Sequence, residues 1–378
     1  IFDLETESAF DILAKANKFL KEGKDIINLG IGQPDFHTPI NIQEAAIKAI
    51  KDGHHGYTDA NGIPQLREAL SEKIVLDYKV EISPENILIT PGGKPVIFFS
   101  ALILGDENNE IIYPDPGFPI YRSMIKYSGA KPIPLVLSEK DDFQVNIEKL
   151  ESLISDKTSL VIINNPNNPT GSFMQKEKIN SLVKMLERYP HVCILSDEIY
   201  SKIIFEKHTM PSFLEHNSIK ERLIVLEGWS KTFCMTGWRL GWLVAPEWAV
   251  PALDKLAQNL FLAPSTPAQY AALGLFNTQT MSELEARREQ FSQRLNYLLP
   301  AIEALGFKVP VKPQGAFYIY ADISAFSDDS MKFCNDLLAQ QGVAITPGID
   351  FSPAHGGHFV RFAYTDEVPR LKEAVARI

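Results

Sequence analysis

Five short apolar runs in this sequence each end in a cluster of polar, glycine or proline residues. Thr90-Pro91-Gly92-Gly93-Lys94 follows Ile87–Ile89, and Pro114-Asp115-Pro116-Gly117-Phe118-Pro119 follows Glu110–Tyr113. Asn164-Asn165-Pro166-Asn167-Asn168-Pro169-Thr170-Gly171 follows Leu160–Ile163, Ser196-Asp197-Glu198-Ile199-Tyr200 follows Val192–Leu195, and Glu227-Gly228-Trp229-Ser230-Lys231 follows Leu223–Leu226. Backbone N–H groups at Gly92-Gly93-Lys94, ahead of a helix, could cradle a phosphate; a tight turn with a surface lysine is the plain alternative. Lys231 could act as an amine nucleophile if burial and a cationic neighbour depress its pKa, although a lysine after a strand is usually just solvated. Asp197 ends an apolar run, so it is either a helix cap or a buried acid facing a cation. Tyr200, three residues on, would share a helical face with it. Arg239, between Thr236-Gly237-Trp238 and Leu240-Gly241-Trp242, and Arg361, in Phe359-Val360-Arg361-Phe362-Ala363, both read as partly buried. Each then needs an anion, from a salt bridge or from a ligand phosphate or carboxylate. Two such arginines, a lysine and an aspartate together suggest a small ligand with two or three negative charges.

Other chemistries find no support. Gly30-Ile31-Gly32 lacks the third glycine of a dinucleotide fingerprint, no P-loop pattern occurs, and Gly228–Thr232 is no nucleophile elbow. His54-His55 and His355-Gly356-Gly357-His358 have no partners at metal-ligand spacing, so no metal is expected.

The apolar runs must be strands, and their near-continuous hydrophobicity suits a sheet covered on both faces. Gln175–Tyr189 carries Ile179, Leu182, Val183 and Leu186 at helix spacing. This alternation predicts an α/β domain with a mostly parallel sheet, and ligands bind outside the carboxyl ends of such strands. After residue 280 the pattern changes to a long charged helix, Met281–Leu305, ending at Gly306, and short strands at Gly315–Tyr320 and His358–Ala363. The expected division is a large domain over residues 41–280 and a smaller α+β domain from residues 1–40 and 281–378.

Lys and Arg number 37 against 47 Asp and Glu, and the net charge of −10 argues against a nucleic-acid or anionic-membrane surface. Three scattered cysteines, Cys193, Cys234 and Cys334, fit a reducing compartment, and a cytoplasmic protein is expected. No apolar stretch is long enough to span a membrane. The opening Ile1-Phe2-Asp3-Leu4-Glu5 has no basic region and does not read as a signal peptide; a start on Ile suggests that the true N-terminus is missing, and a removed targeting segment stays open. The 25 prolines exceed the roughly 5 % that is usual. Pro34, Pro91, Pro114, Pro116, Pro119, Pro166 and Pro169 fall in the strand-end loops, where a fixed φ lowers the entropy cost of one loop shape.

In its order of motifs the chain resembles the class I/II aminotransferases, pyridoxal-5′-phosphate enzymes of fold type I, and among them the bacterial aspartate-aminotransferase-like branch. The motifs are Asn28-Leu29-Gly30-Ile31-Gly32-Gln33-Pro34-Asp35-Phe36, Asn165 to Gly171, Ser196 to Tyr200, and Ser230-Lys231-Thr232-Phe233-Cys234-Met235-Thr236-Gly237-Trp238-Arg239-Leu240-Gly241. The resemblance implies a seven-stranded, mostly parallel sheet in the large domain. It also implies that Lys231 joins the cofactor covalently and later shuttles a proton, and that Asp197 keeps the pyridine nitrogen protonated. Asn168 and Tyr200 would hold the ring's phenolic oxygen, and Arg239, Ser230 and the amides of Gly92, Gly93 and Lys94 the phosphate. Phe118 would stack on the ring, where several relatives carry Trp. Arg361 would grip the substrate carboxylate with help from Gly32, beside Phe118 and Asn168. Tyr57 would reach the neighbouring subunit's phosphate, which implies a homodimer with shared active sites. Some relatives have Ser where this chain has Gly228; Ser230 could substitute, or the phosphate could depend more on Arg239, and phosphate contacts from Ser265 or Thr266 stay open. The implied activity is amino transfer from an L-amino acid, aspartate foremost, to a 2-oxo acid, 2-oxoglutarate foremost, by a ping-pong route. A β-lyase or cyclopropane-carboxylate synthase of the same fold is the alternative. A non-enzymatic pyridoxal-phosphate-sensing regulator would need a basic helix-turn-helix that these residues lack. A dicarboxylate substrate needs a second cation, and the sequence does not identify one.

Overall fold

The computed structural model describes residue 4 and residues 8–205 and 210–378. The acidic opening therefore lies outside the described residues, apart from Leu4. The strands, in chain order, are β1 (Ile27–Asn28), β2 (Ile87–Thr90), β3 (Glu110–Asp115), β4 (Lys131–Val136), β5 (Thr158–Asn164), β6 (Cys193–Asp197), β7 (Leu223–Gly228), β8 (Gly241–Val244), β9 (Tyr318–Asp322), β10 (Val343–Ala344), β11 (Thr346–Pro347) and β12 (Phe359–Ala363). Seven of them form one sheet in the order β2-β8-β7-β6-β5-β3-β4. β8 runs antiparallel to both its neighbours, and the other pairs are parallel. The expected α/β fold with a mostly parallel sheet is thus present.

Alternation along each strand covers the two faces of this sheet. Ile87, Ile89, Val161, Ile163, Ile194 and Val225 enter one core, while Leu88, Leu160, Ile162, Leu195, Ile224 and Leu226 enter the other. A strand buried on both faces must read as a continuous apolar run, which is why five strands are visible in the sequence. β4 is not, because Lys131-Pro132-Ile133-Pro134 looks like a loop. It lies at the sheet edge, paired with β3 alone, where a residue without an N–H is tolerated.

A third core joins Ile12, Ala16, Ile27 and Leu29 to Phe291, Leu298, Phe317, Ile345 and Phe362. Here β1 pairs in parallel with β10, and β11, β12 and β9 form an antiparallel sheet. The long helix runs over Thr278–Ala304, earlier than its apolar pattern suggests, because Asn277 caps it by accepting from the Thr280 amide at 2.9 Å. The predicted strand at Gly315 begins only at Tyr318; Gly315 itself makes a single bridge to Ile204. Among the described residues no helix is long and apolar enough to cross a membrane.

Candidate active site

The carboxyl ends of β2, β5, β6 and β7 border one cavity of about 490 Å³, closed on the other side by the Ile31–Gln33 loop and by Tyr318 and Arg361. At one end, Gly92 takes φ +88° and turns the chain from β2 into the helix Lys94–Leu104, with Gly93 at its cap. Gly93 and Lys94 line the cavity at the N-terminus of that helix, the end whose dipole favours negative charge. A Cβ on Gly92 would stand 2.3 Å from Arg239 Nη2, so the guanidinium rests on bare backbone. Arg239 donates to Thr236 O at 2.8 Å and Pro91 O at 3.3 Å. The expectation that Arg239 is partly buried fails. Its left-handed backbone (φ +55°) sends Leu240 inward and leaves the guanidinium exposed in the open cavity. Ser230 lines the same end. A side chain at Gly228 would meet Gly241 Cα and Ile199 Cδ1 at 3.1 Å, so the serine of some relatives would fit here only if these neighbours gave way by a few tenths of an ångström.

At the cavity base, Asp197 is 4 % exposed. Tyr121 donates to its Oδ2 at 2.5 Å and the Ile199 amide to its Oδ1 at 3.2 Å. Burial pushes the carboxyl up to about 6, against the pull of the Tyr121 hydroxyl, the Ile199 N–H and the Lys231 charge. Residues 198–202 form a turn, so Asp197 caps no helix and the expected helical face shared with Tyr200 does not form. Tyr200 reaches the cavity from that turn, its hydroxyl 2.8 Å from that of Tyr318.

Lys231 is half-buried and donates from Nζ to Gly32 O at 2.6 Å. Arg361 is 5 % exposed on β12. It donates to Asn168 Oδ1 at 2.9 Å, Gly30 O at 2.7 Å and Thr346 Oγ1 at 3.3 Å, and lies over the rings of Tyr318 and Phe351. Among the described residues the partners of Arg361 include no carboxylate, and its buried Nε has no hydrogen-bond partner. A buried guanidinium with no anion is costly, so the site is built to receive one. The salt-bridge alternative for this residue is thereby removed. Asn168 is fixed through its amide, which donates to Asn164 Oδ1 at 2.9 Å, while Asn164 Nδ2 donates to Asp197 O at 3.1 Å. Phe118 lines the cavity with its ring edge-on to Tyr121.

Lys231, Asp197, Tyr200, Asn168, Phe118, Ser230, Arg239, Gly32, Gly93, Lys94 and Arg361 thus surround one space, with Gly92 directly behind Arg239. Tyr57 does not join them; it is 89 % exposed and outside the cavity. Thr266 also stands away, bonded to Gly56 O at 2.6 Å. Sequence reasoning misses Tyr121 and Tyr318, whose aromatic rings look like core residues, and the side chain of Lys94, which enters there only through its amide. Among the described residues no cluster of three or more metal-ligating side chains occurs.

Residues 24–378 match the family described as aminotransferase class I and II. A (5-formylfuran-3-yl)methyl phosphate transaminase of Methanocaldococcus jannaschii is 37 % identical, the match covering 100 % of this chain and 97 % of the relative. An aspartate aminotransferase of Bacillus sp. is 34 % identical, covering 99 % and 96 %. The structure of Thermus thermophilus aspartate aminotransferase with maleate matches with a TM-score of 0.93 at 30 % identity, over 99 % of this chain and 96 % of that one. By sequence and by fold, the chain belongs to the class I and II aminotransferases, pyridoxal-phosphate-dependent enzymes of fold type I.

Proposed function

We propose that this chain moves the amino group of aspartate to 2-oxoglutarate, with pyridoxal 5′-phosphate as cofactor and one site serving both half-reactions. The residues present fit that cofactor. Arg239 on bare glycine backbone, Ser230 and the N-terminus of the helix at Lys94 suit a phosphate dianion. Buried Asp197 suits a protonated ring nitrogen, and Tyr200 and Asn168, which line the same cavity, would hold polar ring substituents. When bound, the cofactor supplies an electron-withdrawing ring that takes up the electron pair left when the substrate's α-proton departs. Lys231 carries that proton from the substrate α-carbon, and Phe118 offers an aromatic face beside it. Arg361 holds the α-carboxylate and so fixes which face of the substrate meets Lys231.

One observation carries this reading: the buried Arg361 guanidinium has an unpartnered Nε and, among the described residues, no carboxylate paired with it. An α-carboxylate is a planar anion that such a fork binds in a bidentate way. Selection of a dicarboxylate rests on Lys94. Its Nζ lies 5.8 Å from the Phe10 ring and 5.7 Å from the Phe118 ring, at the side of the cavity where Phe10 stands. Removing one charge-assisted hydrogen bond predicts that Lys94→Ser raises KM for aspartate and 2-oxoglutarate about tenfold. KM for alanine and the cofactor Kd should stay within about twofold, because the residue 94 amide is kept. Equal rises for alanine and aspartate would remove Lys94 from side-chain recognition.

The same reading includes a homodimer. Ile40, Ile47, Ile50, Leu260 and Leu262 are exposed apolar residues, as is Tyr57, whose loop is tied to Thr266 through the Gly56 carbonyl. Exposed apolar side chains of this kind suit a partner subunit, which would bring its own Tyr57 toward this cavity. The division into residues 41–280 around the cofactor and residues 1–40 with 281–378 around the substrate carboxylate, and a cytoplasmic setting, complete the proposal.

A further inference from the structure

Two of the cations that act on the substrate in this reading, Lys231 and Arg361, rest on one short loop. Lys231 Nζ donates to Gly32 O and Arg361 Nη2 to Gly30 O, at 2.6 and 2.7 Å. Where that loop stands therefore decides where the two side chains wait. Upstream it is held by Asn28 Oδ1, which accepts from the amides of Gly30 and Ile31 at 3.0 and 3.2 Å, and by Leu29 between the backbones of Ala344 and Ala363. Downstream the anchor is an ion pair. Arg294, 3 % exposed on the long helix, donates to both oxygens of Asp35 at 2.6 and 2.8 Å. Phe36 lies under the Arg294 and Arg287 guanidinium groups at 4.7 and 5.3 Å, and Arg287 donates to His37 O at 2.7 Å. Thr38 then accepts from Trp238 Nε1 at 2.9 Å and donates to Cys234 O at 2.8 Å, three residues beyond Lys231.

We infer that Asp35 and Arg294 are positioning residues for amino transfer: by pinning the strap that follows Gly32, they preset the carbonyls on which Lys231 and Arg361 wait. The inference rests on the amino-transfer reading above. Nothing in the fold alone requires an ion pair here: Arg294 is buried but Asp35 is exposed, and such a pair adds little net stability. Without the pair, ordering the strap must be drawn from substrate binding, which raises KM and spares kcat.

The test is the double variant D35L/R294M, because removing Asp35 alone would strand the buried Arg294 charge. Its melting temperature should stay close to wild type. KM should rise about tenfold for the amino acid and by the same factor for the oxo acid, with kcat within about threefold and cofactor Kd within about twofold. In the cofactor-free full chain, the rate at which an acylating reagent modifies Lys231, read by mass spectrometry, should rise at least about threefold as the carbonyl that holds its ammonium loosens. Should the double variant unfold, Thr38→Val cuts the same strap from Trp238 and Cys234 and carries the same expectations. A folded variant with unchanged KM and unchanged labelling overturns the inference, as does a loss confined to kcat. If the wild-type chain proves to catalyse another reaction, labelling alone decides: a rise upholds the positioning role and an unchanged rate removes it.

Discussion

Lys231→Ala lowers amino-transfer turnover by about 10⁴-fold or more, while cofactor still binds. The lysines that line the cavity are Lys94 and Lys231, and Lys231 is the one held inside it, by Gly32 O and near the Asp197 charge. Alanine there leaves no amine to move the α-proton, and the Lys94 ammonium, at the Phe10 side, cannot stand in for it. The phosphate end is untouched, since Arg239, Ser230 and the helix N-terminus lie on other segments or keep their backbone. Single-turnover rates and cofactor Kd measured on the same variant check both halves. A rate within about tenfold of wild type would remove Lys231 from the proton transfer.

Asp197→Asn is expected to act in opposite directions on activity and on stability. Turnover falls by about 10²- to 10³-fold, because a charge placed where positive charge must persist is lost. Stability of the cofactor-free protein rises at pH 8. Burial lifts the Asp197 carboxyl from 3.8 to about 6, so between those values the folded state keeps a proton that the unfolded chain has released. Stability therefore falls as pH rises through that window and stays lower above it. The cost is at most about 3 kcal/mol at pH 8 and vanishes below about pH 4, where both states are protonated. Asparagine carries no such cost and can still accept from Tyr121. Melting curves of the cofactor-free proteins from pH 4 to 8 should converge at the acid end and separate at the alkaline end. Curves that stay parallel would mean that Asp197 is not penalised by burial.

The amino-acid sequence exposes those parts of the fold whose chemistry is local. Buried parallel strands announce themselves as apolar runs, and their polar ends mark one edge of the sheet, so the sequence alone puts Lys231, Asp197 and Asn168 at strand ends, and those strands are neighbours. Arg361 stands out as a charge within an apolar strand, and it is indeed buried, with no counter-charge among the described residues. What stays hidden depends on partners from distant segments. Tyr121, on the helix Ile120–Ser128, meets Asp197 only because that helix packs across the sheet edge. Tyr318 occupies the space that a side chain on Gly32 would need, 286 residues earlier in the chain, and no local pattern encodes such a meeting. Lys94 reads as part of a phosphate turn because its amide is local, whereas the placement of its ammonium depends on Phe10 and Phe118. Arg239 misleads in the opposite sense: apolar flanks suggest burial, but a left-handed backbone turns neighbouring side chains to different sides.

This site moves an amino group between two carbon skeletons. That transfer is tested most directly by giving the purified, cofactor-loaded protein ¹⁵N-labelled aspartate and 2-oxoglutarate and following the label by mass spectrometry. Amino transfer predicts labelled glutamate and oxaloacetate in equal amounts, with oxaloacetate also formed, once per site, when the oxo acid is left out. Label released as free ammonia with no labelled glutamate would contradict the account and favour an eliminating enzyme of the same fold.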